Sequence, residues 1–96
     1  SVGFELIAEC DGPFKTALDH TKYAVRYPDL DEAEEREKAG VFLRKLDGII
    51  GSKSYLFGDR ASLADLAILP FVRQFANTDR TWFDDQDWPH VVGTWF

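Results

Sequence analysis

The 96-residue sequence contains no methionine and a single cysteine, Cys10. One thiol excludes an internal disulfide framework and makes a reducing, cytoplasmic setting the expected one. Basic residues are scarce: 11 Lys and Arg stand against 17 Asp and Glu, for a net charge of -6. That balance excludes a nucleic-acid partner, because phosphate binding needs clustered Lys and Arg. It equally excludes a polybasic membrane patch. No apolar run approaches the roughly 20 residues of a membrane span, and no leader pattern opens the chain. A start at Ser1-Val2-Gly3 without any methionine is expected of a piece of a longer protein. At this length the expectation is one domain, 1–96, with one modest core.

What the chain has in plenty is aromatic bulk, with eight Phe and three Trp. Residues 2 to 10 are apolar-rich and read as the end of a helix. Asp11-Gly12-Pro13 reads as a break, with proline at the first position of a new helix over about 13–26. Phe14, Ala17, Leu18, Thr21 and Val25 fall on one face of that helix, and Tyr27-Pro28 ends it. Asp29 or Asp31 can cap a third helix whose first turns carry Glu32, Glu34, Glu35 and Glu37, charges that suit a helix start. Ala39, Phe42, Leu43, Leu46, Ile49 and Ile50 recur at spacings of three and four, the clearest amphipathic stripe in the chain, and Gly51 is its stop. Tyr55-Leu56-Phe57 is too short to establish a sheet.

Residues 62 to 76 are apolar nearly all round, which predicts a helix buried on several sides with Leu66, Ile68 and Leu69 at the centre. Pro70 inside it predicts a kink. Ser62 is a strong N-cap and Asp65 follows three residues on. The Ser hydroxyl can accept the Asp65 N–H while the carboxylate reaches back to the Ser62 N–H, a capping box with Asp for the usual Glu. Ala61 and Leu66 hold the staple positions. Asn77 to Thr81 reads as a turn, Trp82-Phe83 as the start of a short helix, Asp84 to Asp87 as an acidic loop, and Trp88-Pro89 as the start of a last segment.

Few residues suggest chemistry. Cys10 has no local base, so an inert, part-buried thiol is the expected reading. His20 and His90 lack ligand spacing, and no metal site is expected. Asp84, Asp85 and Asp87 resemble a calcium loop in composition, but the sixth position from Asp85 is His90 where glycine is required. Arg73 and Gln74 are polar residues in an apolar helix. Arg73 can bind an anionic group or form a structural ion pair. Trp82 and Phe83 can line an acceptor pocket or fill the core. Lys15, Tyr23 and Arg26 suit a cleft wall or a solvated helix face. No catalytic residue is assigned.

The run Tyr55-Leu56-Phe57-Gly58-Asp59-Arg60-Ala61-Ser62-Leu63-Ala64-Asp65-Leu66-Ala67 resembles the most recognisable stretch of the glutathione S-transferase C-terminal domain. Ile68 to Ala76, Trp82-Phe83, Asp11 to Lys15 and Tyr23 to Pro28 are similar to a bacterial branch of that family. The resemblance implies an all-α helical bundle joined to an N-terminal thioredoxin-like domain. In the family the absent domain binds most of the glutathione co-substrate and carries the sulfur-activating residue. The helical domain supplies the pocket for the second substrate and part of a homodimer interface. On that basis Arg73, Trp82, Phe83 and Tyr23 become the candidate substrate-binding residues, and Ser62 and Asp65 a structural cap. The resemblance also admits a non-catalytic interaction module, since such domains occur in translation factors and tRNA synthetases.

Overall fold

A computed structural model describes residues 2–23 and 26–96. Helix α1 (Val2–Glu9), a π-helical turn (Cys10–Phe14) and helix α2 (Lys15–Lys22) follow one another without a break. The expected interruption at Asp11-Gly12-Pro13 is therefore absent. Pro13 lies inside the π turn, and the Lys15 N–H reaches back five residues to the Cys10 carbonyl. Proline clashes with the carbonyl four residues before it in a regular helix, and the wider turn accommodates it.

The π turn also solves a problem of register. Leu6, Cys10, Phe14 and Leu18 are all buried, at steps of four. In an α-helix each such step overshoots a full turn by about 40°. One extra residue in a turn brings the four side chains back onto one face. Thr21 is buried too, its hydroxyl donating to the Ala17 carbonyl at 2.9 Å. The remaining face residue expected here, Val25, lies outside the described residues.

Helix α3 (Glu32–Ile50) starts at Asp31, whose carboxylate accepts the N–H groups of Ala33 (2.9 Å) and Glu34 (3.4 Å). Of the expected stripe, Ala39, Phe42, Leu43, Leu46 and Ile50 are buried and Ile49 packs at the edge. The helix ends at Gly51, whose φ of 49° is the left-handed region that glycine tolerates. In the connection that follows, Tyr55 N–H donates to the Gly58 carbonyl at 2.9 Å and Leu56 is fully buried. No strand occurs among the described residues beyond that isolated bridge.

Helix α4 (Leu63–Thr78) buries Ala64, Asp65, Ile68, Val72, Phe75 and Ala76. These fall at helical spacing on one face, packed against α1 and α2. The expectation of burial on several sides is corrected here: Leu63 is 65% and Leu66 63% exposed. Leu69 is only partly buried, and Ala61 is exposed like Leu66. The helix also runs two residues further than its apolar pattern suggests, so the expected turn shrinks to Asp79 before α5 (Arg80–Asp84). Asp79 caps α5 by accepting the Trp82 N–H at 3.1 Å.

Helix α6 (Pro89–Trp95) has proline in its first turn and no cap of its own. Asp47 of α3 supplies one, accepting the His90 N–H at 2.7 Å and the Val91 N–H at 3.0 Å. The buried apolar residues of all these elements form one cluster. Its aromatic part is a chain of edge and tilted contacts from Phe42 through Phe14, Phe75 and Phe83 to Trp88. Among the described residues the indole N–H groups of Trp88 and Trp95 find no acceptor; apolar packing holds both, and ring contacts to Trp82 and Phe83 add to it at Trp88.

Candidate functional site

The sequence-predicted residues divide between two places. Phe83 is core, and Trp82 is partly buried and packed against it. Phe83 is buried among Phe75, Trp88 and Phe96. Trp82 packs edge-on against Phe75 and Trp88, under the Arg36 guanidinium 4.6 Å from its ring. Arg36 in turn meets Asp79 at 3.4 Å. Both indoles lie against α3 at Gly40, where a Cβ would stand 3.7 Å from each, at ordinary van der Waals contact.

Arg73 donates through Nε and Nη2 to the Trp95 carbonyl (3.3 and 3.0 Å) and makes no ion pair among the described residues. This bond joins α4 to the end of α6. Tyr23, 38% exposed, closes α2, with Lys22 and Arg26 over its ring. No ring contact or hydrogen bond among the described residues joins Tyr23 to the other three.

The cap is built as the sequence suggests, with one addition. Asp65 is 2% exposed. Its Oδ2 accepts the Ser62 N–H (2.9 Å) and hydroxyl (2.7 Å), and its own N–H approaches the Ser62 Oγ at 3.4 Å. Its Oδ1 accepts the Leu56 N–H at 3.2 Å. The carboxylate thus fixes the helix start and the preceding connection together, and none of its contacts is to a residue that moves protons in a reaction.

A second buried carboxylate, Glu35, links α2 to α3. It pairs with His20 Nδ1 at 2.5 Å and with Lys38 Nζ at 2.6 Å. The Lys38 hydrogen bond, followed by that of His20, pulls the Glu35 carboxyl below its ordinary value. The Tyr27 ring lies 4.6 Å from the His20 ring. His20 is therefore engaged in a structural pair. Cys10 is 2% exposed, and burial, with Asp11 adding to it, pushes its thiol up to about 12. Such a thiol stays protonated and unreactive. No three His, Cys, Asp or Glu side chains gather as metal ligands among the described residues.

The feature that sequence reasoning missed is an open apolar face. Leu63, Leu66 and Pro70 share the exposed side of α4 at steps of three and four. Beside Leu63 lies a cleft of about 150 Å³ lined by Gly3, Phe4, Ile7, Phe57, Ser62, Leu63 and Ala64. Phe4 is 67% exposed and Phe57 44%. The signal was present in the sequence: a helix apolar on all sides must either be buried on all sides or present one side to something else.

A family model for the glutathione S-transferase C-terminal domain matches residues 25–93, more than two thirds of the chain. No curated protein and no solved structure gives a significant match.

Proposed function

The chain belongs to the glutathione S-transferase C-terminal domain family, and from that premise we propose that it is the helical, substrate-pocket half of a glutathione-dependent transferase. The observation that carries the reading is the exposed apolar face of α4 beside the Phe4–Phe57–Leu63 cleft. Burying that face would gain roughly 25 cal/mol for every Å² removed from water. A thioredoxin-like domain on the N-terminal side is the covering partner, with Leu63 and Leu66 at the seam. That domain would bind glutathione and supply the group that activates its sulfur. This chain would contribute apolar wall to the electrophile's pocket, hold its shape through the Ser62–Asp65 cap, and share in a homodimer. The parent would conjugate or reduce electrophiles with glutathione. A cytoplasmic setting suits the single free thiol.

The test is the parent gene and its product. We expect a thioredoxin-like domain encoded directly upstream, and a full-length protein that binds glutathione and elutes as a dimer. A parent without that domain, or one that fails to bind glutathione, would overturn the reading in favour of a non-catalytic interaction module.

A further inference from the structure

We infer that the cleft between the 51–55 connection and helix α6 is a binding site for a small phosphate monoester with a polar body, such as a sugar phosphate. The inference goes beyond the transferase reading and does not depend on it, because this cleft shares no lining residue with the one beside Leu63.

Unmatched charge is the first argument. The chain is acidic overall, and Arg36, Lys38, Arg44, Lys45 and Arg80 each meet a carboxylate. Lys53 does not. Its ammonium and the His90 ring have no hydrogen bond or ion pair among the described residues, and both residues line this cleft. No Asp or Glu among the described residues lines it with them. A nucleic acid is a row of phosphates and needs a row of such cations, whereas a single phosphate group is matched by one or two.

The other donors fix the class of anion. Ser52, Ser54 and Tyr55 add three hydroxyls that have no partner among the described residues. No arginine among the described residues lines the cleft to grip a planar carboxylate by its fork, and lysine meets phosphate as a point charge. A phosphate group brings three acceptor oxygens to these donors, and a carboxylate brings two. The cleft measures about 450 Å³, within the range of small-molecule sites and roomier than a phosphate group alone requires. Ser52, Lys53, Ser54 and His90 are exposed. A guest there keeps part of its water, so a hydroxyl-bearing body is favoured over an apolar one.

The two walls are already pinned to each other. The Thr94 hydroxyl on α6 donates to the Ser54 carbonyl at 2.9 Å. Within the connection, the Lys53 N–H donates to the Ile50 carbonyl at 2.8 Å and the Tyr55 N–H to the Gly58 carbonyl at 2.9 Å. Backbone set in this way limits the ordering cost on binding. The main-chain N–H groups of His90 and Val91 take no part, because Asp47 accepts both. Recognition rests on the side chains.

The experiment is a titration of the chain with glucose 6-phosphate, glucuronate and glucose, followed by amide chemical shifts. The three probes share a sugar body and differ in whether it carries a phosphate, a carboxylate or no charge. We expect saturable shifts at Ser52, Lys53, Ser54, His90 and Gly93 with glucose 6-phosphate, and binding of glucuronate and of glucose weaker by about fivefold or more. Lys53→Gln, at an exposed position, removes one ion pair with the phosphate and should weaken glucose 6-phosphate about fivefold, while thermal melting stays unchanged. Shifts that never saturate with glucose 6-phosphate would overturn the proposal, as would glucuronate or glucose binding as tightly. So would a Lys53→Gln variant that melts normally and binds glucose 6-phosphate as before. Glutathione binding by the parent bears on the transferase reading alone, so each of the two readings can fail without the other.

Discussion

Asp65 and Glu35 are both buried carboxylates, 2% and 5% exposed, yet different groups satisfy them. Asp65 accepts only from its own neighbourhood: two main-chain N–H groups and one hydroxyl, all within nine residues. Glu35 accepts from side chains, His20 on another helix and Lys38 one turn along its own. A carboxylate held by fixed backbone dipoles shapes a local piece of chain. A carboxylate held by titratable side chains links two helices, and its contribution depends on pH. Buried carboxylates are where one would first look for chemistry, and both of these are engaged by structural partners.

That contrast can be broken or sharpened by four measurements. The largest effect should come from Asp65→Ala. It strands the N–H groups of Leu56 and Ser62, and unpaired buried donors together with a lost cap predict about 2–3 kcal/mol in urea unfolding. A cost no greater than that of Glu35→Ala would abolish the distinction. Ser62→Ala removes one half of the box and should cost about 1 kcal/mol by the same method.

Glu35→Gln should cost less than about 1 kcal/mol at pH 7, because solvent screens the largely exposed Lys38 partner. Its signature is pH dependence. The folded carboxyl sits below its ordinary value, so the unfolded chain binds more protons between the two values. The link stabilises fully above the ordinary Glu pKa of about 4.3 and fades as pH falls through the lowered folded value. Melting curves from pH 7 to 3 should therefore converge for parent and variant at the acid end. Parallel curves would show that Glu35 contributes through packing alone. The smallest effect belongs to Leu66→Gln on the open face, within about 0.5 kcal/mol. A loss beyond 1 kcal/mol would mean that the chain itself covers Leu66.

The helices and the cap were legible because both rest on short-range rules. The stripe from Ala39 to Ile50 needs only its own periodicity, and Ser62 with Asp65 needs only a three-residue spacing. The break at Pro13 was misread because a local rule about proline met a longer-range demand. Leu6, Cys10, Phe14 and Leu18 had to share one face, and the π turn meets that demand with the helix unbroken. Burial of Leu66 was misread for a related reason: hydrophobicity says that a side chain prefers to leave water, and only the arrangement of neighbours says whether it does. The candidate site was the least legible part. Arg73 and Trp82 are individually suggestive residue types, but the Trp95 carbonyl and the Arg36 guanidinium that engage them come from distant positions in the chain.

One capping contact implies an order of assembly. Helix α6 has seven residues and no cap of its own, and a helix that short does not persist alone in water. Its first turn is completed by Asp47, more than 40 residues earlier in the chain. The ring of chain from Leu56 to Asp65, by contrast, closes across nine residues. Short closures precede long ones because less chain entropy must be lost to make them. The start of α4 can therefore take shape as soon as its own segment is free, whereas α6 has to wait until α3 stands ready to receive it.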